Sequence, residues 1–309
     1  METKRVVMLN SSALRRSACM RRLNYVLSGY REKMVGNDII FGTCFHDFAA
    51  HFVTTGDFGQ SVEVGWKARL REKNLYTKFR KEYLDDPAFF RGVCTLWAME
   101  RSDWKTVKIA DTTLVELPWA YPFYVGEHIE VVLCGTVDSI CEHKINEGVM
   151  SIKDYKTTSA LDSSEYFAKY KMSLQLMFYH FGITKLCEMK PDSALAKKWL
   201  GASTSGVMIE GIFIKKSLAD CEFKKSELFT FSKERMNEFE SMLISLCEQL
   251  DKPANHEWPR QGLVNAACES EGYGRKCAFF DCCSAESNDE GEMILRASFS
   301  REKYDPLSI

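Results

Sequence analysis

The chain has 309 residues, 45% hydrophobic and 12% aromatic, which is enough apolar material for a core and excludes a disordered or collagen-like chain. Its 41 Lys and Arg nearly balance 43 Asp and Glu, excluding a uniformly basic nucleic-acid binder but not a local basic patch. Arginines interrupt the N-terminal apolar runs and no stretch approaches the ~20 apolar residues of a membrane span, so a soluble, cytoplasmic protein with no membrane partner is expected. In a reducing compartment the twelve cysteines should be buried thiols or metal ligands rather than disulfides.

In chain order, apolar spacing predicts a helix over 11–30, with Ser11 or Ser12 as its cap. A second helix is expected over 38–53, with Phe41, Phe45, Phe48 and Phe52 on one stripe, and further helices over 61–83 and 87–105. The character then changes. Residues 112–117, 130–140 and 149–156 are rich in β-branched and apolar residues and read as strands. A long helix over 165–188, a strand over 207–215 and a helix over 232–251 follow, and the tail from 253 is irregular and Cys-rich. The first 35 residues carry eight basic and two acidic side chains. Arg15, Arg16, Arg21 and Arg22 are the candidates for tracking phosphates there, with Tyr25 and Tyr30 available to stack on unpaired bases.

The most informative stretch is Gly135-Thr-Val-Asp138, followed by Asp154-Tyr-Lys156. Side chains alternate along a strand, so Asp154 and Lys156 share a face, and a hairpin would bring Asp138 beside Asp154. Two carboxylates and a lysine at adjacent strand ends suit a hard cation such as Mg²⁺, with Lys156 placed to orient or deprotonate an attacking water. In the next helix Gln175 and Tyr179 are four residues apart and share a face, flanking the stripe of Leu174, Met177, Phe178 and Phe181. Glu116, on the strand before Asp138, is close enough in sequence to join such a site, whereas His51 is off the face of His46.

The order His46, Gly135-x-x-Asp138, Asp154-x-Lys156, Gln175-x-x-x-Tyr179 resembles the PD-(D/E)xK nuclease superfamily. It is most similar to the RecB-like exonuclease branch, which includes the AddB nuclease domain and the CRISPR-associated and phage-encoded RecB-like exonucleases. The similarity spans roughly residues 11–283. It implies a restriction-endonuclease-like α/β core, a small mixed sheet flanked by helices. It assigns His46, Asp138 and Asp154 as ligands of Mg²⁺ or Mn²⁺, the Tyr155 carbonyl as a further ligand, Lys156 as the catalytic lysine, and Gln175 and Tyr179 as supporting or DNA-contacting residues.

Cys268, Cys277, Cys282 and Cys283 crowd a Gly-containing tail, and three clustered thiols suit a metal centre that takes its fourth ligand from elsewhere. The RecB-like branch often carries one upstream cysteine and three C-terminal ones. The resemblance thus implies a [4Fe-4S] cluster on Cys19, Cys268, Cys277 and Cys283, with Cys282 a rival for Cys283 and zinc the alternative metal. No histidine lies at zinc-ligand spacing, since His256 is twelve residues before Cys268, so iron–sulfur is preferred. Cys44, Cys94, Cys134, Cys141, Cys187, Cys221 and Cys247 read as ordinary thiols inside helices or strands.

The expected organisation is one nuclease domain over 1–283, comprising a mainly helical part (1–110), an α/β catalytic core (111–252) and a Cys-rich cap (253–283), followed by a peripheral acidic tail (284–309). The expected activity is a divalent-metal-dependent exonuclease acting on single-stranded or duplex DNA ends in recombination, repair or phage DNA processing. The alternative is a non-catalytic iron–sulfur DNA-binding module or a subunit of a larger helicase–nuclease. The sequence contains no G-x-x-x-x-G-K-[ST] motif, so unwinding would fall to a helicase or recombinase partner.

Overall fold

The computed structural model describes residues 4–33, 36–71, 81–100, 102–253, 256–258, 268 and 277–302. The chain opens with β1 (Arg5–Leu9), which the arginine-interrupted sequence concealed. The single helix expected over 11–30 is instead two, α1 (Ser11–Leu14) and α2 (Met20–Leu27), followed by β2 (Tyr30–Glu32). The cap of α1 is Asn10 rather than a serine: its side-chain oxygen accepts the Ala13 N–H at 2.8 Å. Between α2 and β2, Gly29 has φ +88°, and a Cβ there would stand 2.2 Å from the Glu302 carbonyl oxygen, so only glycine fits.

Then come α3 (Asn37–Thr55), α4 (Phe58–Arg71) and α5 (Pro87–Met99). The helix expected over 61–83 runs at its centre through residues outside those described. The helix expected to reach 105 ends at Met99, and Trp104–Thr106 is β3. Two-residue strands β4 (Lys108–Ile109) and β5 (Thr112–Thr113) lead to β6 (Val115–Val125), β7 (Ile129–His143) and β8 (Val149–Thr158). The long helix expected over 165–188 is broken into α6 (Ser163–Ala168) and α7 (Leu174–Met189). The remaining elements are α8 (Ala194–Leu200), β9 (Thr204–Phe213), β10 (Glu222–Lys225), α9 (Lys233–Leu250), α10 (Phe280–Ser284), α11 (Asn288–Ser298) and β11 (Phe299–Arg301).

These elements form two units. The central unit comprises Met34–Trp119 and Thr136–Ser232, and the terminal unit comprises Met1–Lys33, Ala120–Gly135 and Lys233–Ile309. In the central unit the second half of β7 pairs antiparallel with β3 and with β8; β9 runs parallel to β8 along its whole length, and β10 closes the edge antiparallel to β9. This is a mixed sheet flanked by helices, the α/β core expected from the sequence. Nearly every residue of β8 and β9 from Met150 to Tyr155 and from Val207 to Phe213 is buried, as strands covered on both faces require. Phe41, Phe45 and Phe48 of α3 pack with Phe90 and Trp97 of α5 and with Tyr155 and Ile212 of the sheet. α7 is buried around its circumference from Gln175 to Ile183, so the expected stripe with flanking polar residues is too narrow a description.

In the terminal unit the first half of β7 runs parallel to β1, with Arg5 opposite Ile129 and Leu9 opposite Leu133. The acidic segment after Ser284, expected to be peripheral, forms α11 and β11. β11 pairs antiparallel with β2, and Leu295 and Phe299 join Cys277, Phe279 and Cys282 in a small core.

Candidate active site

β7 and β8 meet with Ser139 opposite Lys153, so one step along the ladder sets Asp138 facing Asp154. Both are buried, at 8% and 2% exposure. Two anions at that separation from water need compensation. Asp138 Oδ2 accepts the Tyr155 backbone N–H at 2.6 Å. Lys156 Nζ stands 2.6 Å from Asp154 Oδ2, a charge contact off the hydrogen-bonding angle that leaves this oxygen without a hydrogen-bond partner. From α3, His46 Nε2 lies 3.1 Å from the Tyr155 carbonyl oxygen, while Nδ1 lies 3.4 Å from Asp138 Oδ1 and 3.9 Å from Glu116 Oε1.

The carbonyl only accepts, so a hydrogen bond to it requires a proton on Nε2. The Nδ1 lone pair would then point at two carboxylates unless a proton or a metal ion intervenes. The electrostatics state the same demand. Burial works against charge on His46, yet Asp138 and Glu116 push its pKa up to about 10. Burial also opposes ionisation of Asp138, but His46 and Lys156 hold its carboxyl below the usual range. Asp154 and Glu116 are pushed up, each first by burial and then by the Asp138 charge. The Lys156 pKa is raised: burial opposes its charge, but Asp154, Tyr179 and Asp138 outweigh it, so it is an ammonium at neutral pH.

Ligand atoms of His46, Glu116 and Asp138 lie within 4.8 Å of one another. One imidazole nitrogen and several carboxylate oxygens, among them an Asp154 oxygen in contact with the Lys156 ammonium, are a donor set for Mg²⁺ or Mn²⁺, and a divalent cation fits. Glu116 reaches the group because its backbone is left-handed, φ +42°, a strained state for a residue with a Cβ. Gln175 and Tyr179 are buried at 7% and 8%, with Gln175 Nε2 donating to Tyr179 Oη at 2.9 Å. Tyr179 lies in the field of Asp154 and Lys156, and its pKa is pushed up to about 12 by burial and then by Asp154. His51 bonds Ser61 instead, Nδ1 to Oγ at 2.8 Å.

Opposite Asp154 on the strand, Lys153 and Tyr155 face the aromatic layer. There Lys153 Nζ lies 2.8 Å from Glu210 Oε2, and Trp97 Nε1 donates to Glu210 Oε1 at 2.6 Å. Sequence reasoning missed this buried pair because Lys and Glu on two strands carry no signal of their pairing.

In the terminal unit Cys19 and Cys277 are buried, Cys268 and Cys283 half-buried, and the Cys277 N–H donates to the Cys268 carbonyl at 3.0 Å. Burial pushes the Cys283 pKa up to about 11, Arg21 pulls it down, and the neighbouring thiols of Cys19, Cys277 and Cys268 raise it further. The Cys282 thiol carries a contribution from Cys277. The thiols of Cys19, Cys268 and Cys277 thus lie within electrostatic reach of Cys283. Among the described residues they do not close to within 4.8 Å as a group, wider than the about 3.8 Å between sulfurs of a zinc tetrahedron. Of the seven thiols read as ordinary, six are buried in helices or strands, whereas Cys221 is half-buried in the turn before β10. Arg15 is exposed, and Arg16, Arg21 and Arg22 are half-buried, with Arg21 Nε donating to Tyr25 Oη at 3.1 Å.

A mixed sheet that presents opposed aspartates and a lysine beside an imidazole and a further carboxylate defines the class of metal-dependent phosphodiesterases. Residues 15–284 match the model of the PD-(D/E)XK nuclease superfamily, and the chain belongs to that superfamily. No curated protein matches. Among solved structures, the crystal structure of SSO0001 is similar over 78% of this chain and 85% of that one at 8% identity, with a TM-score of 0.25, too low to bear on fold or function. Among the described residues no helix is long and apolar enough to cross a membrane.

Proposed function

We propose that the chain is a DNA exonuclease of the RecB-like branch, working on single-stranded or duplex ends in recombination, repair or phage DNA processing. The observation that supports it most is the Asp138–Asp154–Lys156 set with His46 alongside. His46, Glu116, Asp138 and Asp154 would hold Mg²⁺ or Mn²⁺, with the Tyr155 carbonyl within reach. When bound, the ion supplies charge neutralisation at the scissile phosphate and a more acidic water. Lys156, as an ammonium, donates hydrogen bonds that orient the attacking water or a non-bridging oxygen rather than removing a proton. Asp154 fixes that ammonium. The Gln175–Tyr179 pair backs the Asp154–Lys156 pair from α7. Hydrolysis adds water across one P–O bond, leaving a hydroxyl and a phosphate monoester.

Cys19, Cys268, Cys277 and Cys283 are the proposed ligands of a structural [4Fe-4S] cluster, with zinc the alternative metal and Cys282 the rival for Cys283; the electrostatic reach of Cys19, Cys268 and Cys277 to Cys283 supports the choice of Cys283. Arg15, Arg16, Arg21 and Arg22 are the proposed phosphate contacts nearby, and a helicase or recombinase is the proposed partner. The test is cleavage of end-labelled single-stranded and duplex DNA with Mg²⁺, Mn²⁺ or EDTA, beside a covalently closed circle. Metal-dependent loss of linear DNA with sparing of the circle is expected. Equal attack on circles would keep the site and overturn the exonuclease reading, and DNA binding with no cleavage in any metal would favour a non-catalytic module.

A further inference from the structure

The strand face that carries Asp154 and Lys156 continues to Thr158, two residues on, and leads into a loop over 159–162 and then α6. The Tyr166 side chain of α6 accepts a hydrogen bond from the Tyr170 hydroxyl at 3.1 Å. Tyr166 is anchored from behind by Phe213, ring centroids 5.3 Å apart. Lys169 is exposed, yet its Nζ is held 3.8 Å from the Tyr166 ring centroid and 5.0 Å from that of Tyr170. A lysine that lies on two tyrosine faces has given up its freedom to wander and presents its charge at a fixed place. The same loop is flanked by two further ammonium groups: Lys81 Nζ donates to Ser159 Oγ at 3.3 Å, and Lys215 Nζ donates to the Ala160 carbonyl. Two acids share this segment: Asp162, whose Oδ1 accepts from the Ser164 and Glu165 N–H groups and the Ser164 hydroxyl and stays an anion, and Glu165, exposed in the first turn of α6; against the ammonium groups of Lys81, Lys169 and Lys215 they leave a net positive balance. Burial and then the charge of Lys156 pull the Lys169 pKa down, a cost that an anion lying between the two ammonium groups would reverse.

We propose that Lys169, set on the Tyr166–Tyr170 rings, binds a phosphodiester flanking the scissile one, and that Lys81 and Lys215 extend this path along the 159–162 loop. The inference rests on the nuclease reading. It names a second anion site that fixes where the strand runs as it leaves Lys156.

The test measures DNA binding, so that it does not depend on cleavage. Single-stranded oligonucleotides are titrated onto the Asp154→Ala protein, with and without Lys169→Gln, over a range of salt. Lys169→Gln should weaken binding 5–10-fold and make the log–log salt dependence shallower by about 0.7, one phosphate contact on a single strand. Lys169→Arg should restore both. Oligonucleotides with one neutral methylphosphonate, scanned through the linkages, should contain one position at which Lys169→Gln costs nothing further. An unchanged salt slope, a penalty equal at every methylphosphonate position, or no DNA binding by the protein overturns the proposal. A wild-type protein that binds DNA but cleaves none in Mg²⁺ or Mn²⁺ overturns the nuclease reading instead, and the slope still decides whether Lys169 touches a phosphate.

Discussion

Asp154 is where removal of a few atoms should matter most. Asp154→Ala takes away a buried carboxylate that faces Asp138 and holds Lys156. Cleavage should fall by at least about 10³-fold, on the order of 4 kcal/mol of transition-state stabilisation, with DNA affinity changed little because the basic surfaces remain. End-labelled cleavage and equilibrium binding, run side by side, separate the two effects, and a variant that cleaves at the wild-type rate sinks the assignment. Glu116→Gln is a subtler probe. It keeps the shape of a side chain that approaches His46 from a left-handed backbone but removes its charge. The metal concentration for half-maximal rate should rise about tenfold, with the rate at saturating Mn²⁺ largely recovered. A metal requirement that does not move would exclude Glu116 from the ion's surroundings. Asp138, Asp154 and Lys156 were legible in the sequence because strand alternation is a rule of period two. Glu116 was only a neighbour on a strand, since no sequence signal announces a glutamate with positive φ.

At the scale of elements, α7 shows what the sequence conceals. Its periodicity promised one long helix over 165–188, but the chain turns at Lys169–Ser173 and starts α7 afresh at Leu174. α7 then packs so closely that a Cβ on Gly182 would stand 2.2–2.6 Å from the fully buried Trp119 ring. Gly182→Ala should destabilise the protein by about 1–3 kcal/mol despite its better helix propensity, because the ring has nowhere to go. Denaturant titration measures it, and a more stable variant would show that the α7–β6 contact is loose.

Two residues earlier, burial depresses the His180 pKa to about 4 between the Trp199 and Phe231 rings, with Nδ1 unpartnered. The unfolded chain therefore takes up this proton more readily. His180 costs no stability above about pH 6.5, and stability falls as the pH drops from there toward 4, by up to about 3 kcal/mol. His180→Leu should flatten that acid limb. Denaturation midpoints at about pH 7 and pH 4.5 test it, and an equally steep limb in the variant rules it out.

For the molecule as a whole, the proposed cluster would connect residue 19 to residue 283. Loop-closure entropy grows only logarithmically, so a centre worth on the order of 10 kcal/mol could offset so long a loop. Protein purified without oxygen should be brown and bleach in air, and Cys277→Ser should be colourless, less soluble and weaker in DNA affinity. Colourless wild-type protein with stoichiometric zinc would support the zinc alternative, and colourless protein without metal, matched in stability by Cys277→Ser, would remove the centre. The choice of these four thiols came only through family resemblance. Composition pointed to a metal in the tail but not to Cys19, because a lone cysteine at the start of a helix has no distinguishing pattern.

The central unit is complete in sequence at Ser232, whereas the terminal unit draws on residues at both ends of the chain. This division sets an order during synthesis. Once residue 232 has left the ribosome, β7, β8 and β9 can pair, and Asp138 can face Asp154, while β2 is still waiting for β11, and Cys19 for Cys277 and Cys283. At about 5–20 residues per second, making residues 233–309 takes roughly 4–15 s. The hydrolytic face is thus assembled before the segment proposed to carry the cluster exists, and a failure to load the cluster would strike a chain whose catalytic half is already folded. Ribosome-arrested chains released a few tens of residues beyond 232 should accordingly resist protease across the central unit and remain cleavable around Tyr30–Glu32, whose partner strand β11 is not yet made.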